Sequence, residues 1–278
     1  NSNEYLLAKF GYGTAENVHC KRTKKAEVVQ PVIEKWFNDH ASEDNWYMHI
    51  NFWDIHTPYR APMEYPNPFE NEPIADWLTE DLLAKHMKKT GPHSCSDLGM
   101  YNDNNPKQWP RLPERITDMA SLKQWIDGYD VAIRYVDDKI KWMVEKLKAD
   151  GVYEDTVIII SADHGENQGD LGIYGEHGTA DHATCHIPMI VKWPGGAQGK
   201  VDNELHYNVD WAPTVMDMIG AEKPDIWDGK SYAATVKDGT PDGHEDLVIS
   251  QCCHVCQRSA RWGKWLYIER TWFPETME

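Results

Sequence analysis

The chain has 278 residues, of which 28 are Lys or Arg and 45 are Asp or Glu, so it carries a net charge of -17. That balance offers no cationic surface for nucleic-acid phosphates or anionic lipid. A hydrophobic fraction of 41% with no apolar run longer than a strand excludes a membrane-spanning helix.

The first element expected is a helix over residues 24–38, in which Pro31 marks either a kink or the true start. A strand is expected over 46–53, and His56 follows in Asp54-Ile55-His56-Thr57-Pro58-Tyr59, where Pro58 stiffens the turn. Residues 51–105 are rich in Pro, Asn and Tyr around one short helix (75–89), the composition of a long excursion above a sheet edge. Next comes the clearest helix. Leu122, Ile126, Tyr129, Ile133, Val136, Ile140, Met143 and Leu147 recur at steps of three and four, with Asp118 placed to cap the start and Gly151 to end it.

Thr156-Val157-Ile158-Ile159-Ile160 is continuously apolar and β-branched, as expected of a strand covered on both faces of a parallel sheet. A third strand, 187–193, stops at Pro194-Gly195-Gly196, and a short helix over 211–219 starts from Asp210. From residue 222 the pattern changes to turns and alternating strands, 247–251 and 264–269. The expectation is an α/β domain over 1–221, with a mostly parallel central sheet flanked by helices, and a small antiparallel subdomain over 222–278.

Asp163-His164-Gly165 stands immediately beyond the apolar strand, where open sheets present ligands, so Asp163 and His164 can be aimed together at one cation. A capping Asp followed by a turn is the plainer reading. His177, flanked by glycines two residues before and one after, can approach a bound anion or face solvent without a role. His56 follows another expected strand and can reach the same kind of crevice. Cys253 and Cys256 have the spacing of a zinc turn, but no second paired turn accompanies them, so a hairpin with incidental thiols is expected. The abundance of Trp (13) and Tyr (13) over Phe (5) suits either stacking on sugars or ordinary core filling.

Several of these segments read together. Tyr129-Asp130-Val131-Ala132-Ile133-Arg134-Tyr135-Val136-Asp137-Asp138, then residues 151–166 ending in Ser161-Ala162-Asp163-His164-Gly165-Glu166, resemble the sulfatases of the alkaline phosphatase superfamily. The similarity continues through Ile187-Pro188-Met189-Ile190, Trp193-Pro194-Gly195, Asp210-Trp211-Ala212-Pro213-Thr214 and Arg258-Ser259-Ala260-Arg261, and His56-Thr57-Pro58-Tyr59 matches the family's His-x-Pro-Tyr element. The insert 60–105 carries the least of it.

The resemblance implies an alkaline phosphatase-like fold and hydrolysis of a sulfate monoester on a small molecule or glycan. It makes Asp163 and His164 ligands of a divalent metal, usually Ca2+, with Mg2+, Mn2+ or Zn2+ as alternatives because His164 stands where many relatives have Asn. It assigns His56 and His177 to the sulfate group or the leaving oxygen, His177 lying where many relatives carry Lys. A histidine supplies that charge only while protonated. His186 replaces an Arg often found before Val-Pro. The family's early Asp pair and the Cys or Ser oxidised to formylglycine are absent from this sequence. Together with an opening Asn1-Ser2-Asn3-Glu4, this reads as the carboxyl-terminal portion of a catalytic domain, whose partner is the amino-terminal segment of the same protein, and which is inactive alone. Family habit places it in the periplasm, the lysosome or outside the cell. The competing expectations are a phosphodiesterase or phosphonate hydrolase of the same superfamily, and a non-catalytic carbohydrate-binding remnant.

Overall fold

In a computed structural model, residues 25–98, 107–252 and 256–270 are described. Two compact units emerge, one formed by Asn1–Leu83 with Tyr101–Tyr153 and the other by Ala84–Met100 with Glu154–Glu278.

The first unit is built on two long helices, and a short one between them in sequence runs from it into the second unit. Helix α1 (Ala26–His40) buries Val29, Ile33 and Phe37, one side chain per turn, and carries Pro31 within its length. The helix expected from residue 24 therefore runs straight through the proline; residue 24 itself lies outside the described residues. Residues 46–53 form no strand. Their exposure alternates as an extended chain's would, but no neighbour among the described residues supplies a hydrogen-bonding ladder. Helix α2 (Glu80–His86) is shorter than the 75–89 expected, because Leu78 and Thr79 are taken up by turn hydrogen bonds to Ala75 and Trp77.

The long helix α3 (Met119–Ala149) starts where its cap requires. Asp118 accepts from the Ser121 amide at 2.8 Å, while the Ser121 hydroxyl accepts from the Asp118 amide at 3.1 Å, which satisfies two otherwise orphaned donors. Its buried stripe is rotated from the one expected. Leu122, Trp125, Ala132 and Val136 are buried, whereas Ile133 is 41% exposed. Trp125 dominates this face, and Gly128 beside it admits Tyr59 and Leu112, which a Cβ would meet at 3.2 and 3.0 Å.

In the second unit the apolar run after α3 becomes strand β1 (Ile158–Ser161), paired antiparallel with β2 (Met189–Lys192) in the register Ile158 to Lys192 and Ser161 to Met189. Every strand pair among the described residues is antiparallel. The expectation of burial on both faces is corrected: Ile159 is 39% and Ile190 59% exposed, and in this register the two point to opposite faces of the β1–β2 ribbon, so neither face is fully buried. The short helix α4 (His182–Cys185), which sequence periodicity is too brief to show, lies just before β2.

Helix α5 (Trp211–Ile219) occupies the span expected, and Gly220 ends it. After it come α6 (Ala233–Asp238) and a meander of three antiparallel strands, β3 (Asp246–Cys252), β4 (Cys256–Trp262) and β5 (Trp265–Arg270). The late antiparallel strands expected are present, with β4 as an additional one between them. Cys253 and His254, on which the zinc-turn reading depends, lie outside the described residues.

Candidate active site

The chain leaves β1 at Ser161 and turns sharply within four residues. Its turning point is Gly165, whose amide donates to Thr184 O at 2.7 Å. A Cβ there would lie 2.0 Å from the Ala183 carbonyl oxygen, so this close approach of two backbones needs glycine. The turn delivers Asp163 to the surface, its side chain 85% exposed, and sets His164 behind it.

His164 Nδ1 lies 2.8 Å from Gly165 O. A carbonyl only accepts, so Nδ1 carries the proton and Nε2 keeps its lone pair. Nε2 faces Asp163 Oδ1 at 3.9 Å. The His177 ring lies flat over His164, with centroids 4.3 Å apart and planes 13° from parallel. A ring nitrogen of each lies within 4.8 Å of one on the other.

Two carboxyl-bearing or amide-bearing side chains hold the loop that delivers His177. Asn167 is fully buried, and its amide nitrogen reaches Thr179 Oγ1 and Thr184 Oγ1 at 3.0 Å and Asp181 Oδ2 at 3.2 Å. Its backbone exchanges hydrogen bonds with Gly175 and Glu176, at 2.8 and 2.9 Å, which closes the loop on itself. Glu176 Oε1 then accepts from the amides of His177 at 2.8 Å and Gly178 at 2.6 Å.

Further along, His186 stacks on His182 at 4.6 Å, and Arg261 reaches His182 Nδ1 at 3.2 Å. Burial, then the nearby His186 and Arg261 charges, holds His182 below its ordinary protonation range.

His56 belongs to the other compact unit and sits in a turn built by Arg60. The Arg60 guanidinium donates to Trp53 O at 2.8 Å and His56 O at 2.7 Å, and stacks over Trp109 at 5.4 Å. His56 Nδ1 is 2.7 Å from Thr57 O, which makes Nδ1 the protonated nitrogen here too. The Thr57–Pro58 bond is cis. Beneath the turn, Asp54 is wholly buried, and its Oδ2 accepts from the Ala26 amide at 2.8 Å, at the start of α1. Desolvation outweighs that bond and the Arg60 charge, and pushes the Asp54 carboxyl up to about 6.

Of the residues singled out from sequence, Asp163, His164 and His177 come together in one unit, and His56 has a rigid turn of its own in the other. Sequence reading missed Asn167, Glu176, Arg60 and Asp54. Each is polar and buried beside a candidate, but only folding reveals the burial that gives it a role.

The donor set fits a divalent cation. Asp163 offers an exposed carboxylate and His164 a nitrogen whose tautomer is fixed by a backbone carbonyl, the second contact that metal-binding histidines ordinarily have.

A family model described as Sulfatase matches residues 6–221. The choline-sulfatase of Rhizobium meliloti (strain 1021) is 24% identical over 249 residues, which cover 86% of this chain and 45% of that protein. The multifunctional alkaline phosphatase superfamily protein PehA of Trinickia caryophylli is 29% identical over 204 residues, 70% of this chain and 38% of its own. Among solved structures, the phosphonate monoester hydrolase SpPMH from Silicibacter pomeroyi superposes with a TM-score of 0.65 at 20% identity, covering 96% of this chain and 60% of that one. The chain thus spans less than half of these two curated relatives.

Proposed function

The chain belongs to the sulfatase family, and from that premise we propose that it is the carboxyl-terminal part of a sulfuric ester hydrolase acting on a sulfated small molecule or glycan. The observation that carries this reading is the parallel His164–His177 stack at the end of β1, beside an exposed Asp163 carboxylate. A sulfate monoester surrounds its sulfur with anionic oxygen, so attack needs fixed positive and hydrogen-bonding groups around those oxygens.

Asp163 and His164 would hold the divalent metal, which supplies charge stabilisation to the ester oxygens when bound. In this reading His177, whose amide and that of Gly178 donate to Glu176 and whose ring stacks on His164, binds an oxygen of the same group. In our reading His56, with Nδ1 donating to Thr57 O, acts as the doubly protonated imidazolium, gives its Nε2 proton to the departing alcohol and is left neutral. A formylglycine nucleophile and the remaining metal ligands would come from the amino-terminal segment of the complete protein. We place the parallel strands of the central sheet there too, beside β1. The periplasm, the lysosome or the cell exterior is the proposed compartment. Among the described residues no helix is long and apolar enough to cross a membrane.

A second reading, hydrolysis of a phosphonate or phosphate ester, draws on the imidazole of His164, a nitrogen donor suited to Mn2+ or Zn2+ rather than Ca2+. The test is a comparison of the complete protein on p-nitrophenyl sulfate and on a phenyl phosphonate monoester, with mass spectrometry of its nucleophile. Turnover of the sulfate with an aldehyde-bearing residue supports the first reading. Preference for the phosphonate replaces it with the second, and turnover of neither removes both.

A further inference from the structure

One face of β4 is turned toward the loop that carries His177. Gln257, Ser259 and Arg261 alternate along the strand and so share that face. Gln257 Oε1 accepts from the Ala180 amide at 2.9 Å, Ser259 is buried, and Arg261 Nη1 donates to His182 Nδ1 at 3.2 Å. That bond leaves the guanidinium short of acceptors, since it has five N–H donors and accepts nothing. Among the described residues no carboxylate pairs with Arg261, although the chain carries a net charge of -17. Neither its buried Nε nor the buried Ser259 Oγ has a hydrogen-bond partner there. Two carboxylates lie close enough to act on His182. Asp181 is buried and turned to the Thr184 amide and to Asn167, at 3.1 and 3.2 Å, and Asp170 is bonded neither to Arg261 nor to a histidine ring of this group.

Because Arg261 only donates, His182 Nδ1 accepts, and the neutral ring bears its proton on Nε2. His186 follows one helical turn later, stacked on His182 with centroids 4.6 Å apart and planes 18° from parallel, and both residues are exposed. Paired histidines one turn apart can chelate a metal, but here a fixed cation stands beside one of them and uses the only lone pair of its neutral ring. What remains is a positive charge beside ring N–H donors, the complement of an oxyanion. The group adjoins the candidate active site. Thr184 O, midway along α4, accepts from the Gly165 amide at 2.7 Å, so the Cα atoms of His164 and His182 are at most about 16 Å apart. An oligosaccharide, or an ester of similar length, spans that distance. We propose that Arg261, His182 and His186 form a subsite for a second anionic group, a sulfate or a carboxylate, on the substrate. The substrate class is then a sulfate ester that carries another acidic group. This inference rests on the reading of the His164–His177 stack as the place where the ester binds.

The experiment titrates the complete protein, with 13C-labelled histidine, against three probes: a disaccharide bearing one sulfate ester and one uronate carboxylate, the methyl ester of that uronate, and inorganic sulfate. The acid is expected to shift the His182 and His186 ring resonances saturably and to bind about tenfold or more tighter than its methyl ester. Arg261→Gln, which keeps a donor for His182 but no charge, is expected to erase that preference, and Arg261→Lys to keep part of it. Equal binding of acid and methyl ester overturns the proposal, as does a preference that survives Arg261→Gln. If neither Arg261 variant folds, the acid and methyl ester on the parent decide, read at His182 and His186. Inorganic sulfate that saturates those two rings as tightly as the disaccharide makes the ligand a free ion and overturns the assignment to the substrate. Rings that respond to Zn2+ but to none of the three probes overturn it in favour of a metal. A parent protein that hydrolyses neither sulfate nor phosphonate esters, but whose His182 and His186 still distinguish acid from methyl ester, retires the enzymatic reading and leaves the anion site standing.

Discussion

Asp163, His164 and His177 share one loop region but have separable jobs, and substitution distinguishes them. His177→Ala removes a ring stacked on His164 without touching the Nδ1 to Gly165 O bond that fixes the His164 tautomer. It is expected to weaken substrate use at least tenfold in the complete protein while metal content stays at the parental value, as read by elemental analysis beside Michaelis kinetics. Asp163→Asn and His164→Ala are expected to do the reverse first, lowering bound metal and activity together. Asn167 presents a third behaviour. It is buried, and its amide serves three side-chain oxygens within 3.2 Å, so Asn167→Ala strands those acceptors and is expected to cost about 1–3 kcal/mol in denaturant unfolding.

At the scale of elements, legibility followed local chemistry. Helix α3 was readable at both ends because Asp118 and Gly151 are local signals, and α5 was readable for the same reason. Its buried face was less so: the count of apolar side chains favours Ile133, while packing favours Trp125 beside Gly128, and packing decides. The cap makes a direct prediction. Asp118→Ala is expected to destabilise the protein by about 1 kcal/mol, measured by urea unfolding, whereas Asp118→Ser, which retains an acceptor, is expected to recover most of that. Strand β1 was readable as a strand but not in its pairing, because an apolar β-branched run has the same composition beside a parallel or an antiparallel neighbour. Gly165 was visible only as a turn. Its 2.0 Å virtual contact with the Ala183 carbonyl shows that the turn is also a packing contact between two loop backbones.

For the whole molecule, the candidates Asp163, His164, His177 and His56 were legible because they sit next to strong local patterns. The residues around them were not. His182 and Arg261 are 79 residues apart in number and meet only through the fold, and Asp54 meets Ala26 from 28 residues away. Asp54 also gives the molecule a testable dependence on pH. Its carboxyl titrates at about 6 in the folded protein, against an ordinary 3.8, chiefly because burial penalises the charge. The folded state therefore holds this proton more tightly than the unfolded state does. The stabilisation linked to it is fully present below about pH 4, fades as the pH rises, and is gone above the folded value near 6. A shift of that size corresponds to about 3 kcal/mol. Asp54→Asn keeps an acceptor for the Ala26 amide but carries no titrating proton. Urea unfolding of the complete protein and of this variant across pH 4 to 7 is expected to give curves whose separation changes by that amount, the parent losing stability relative to the variant as the pH rises. Parallel curves would show that Asp54 titrates alike in the folded and unfolded chains, and that its charge is solvated where the fold buries it.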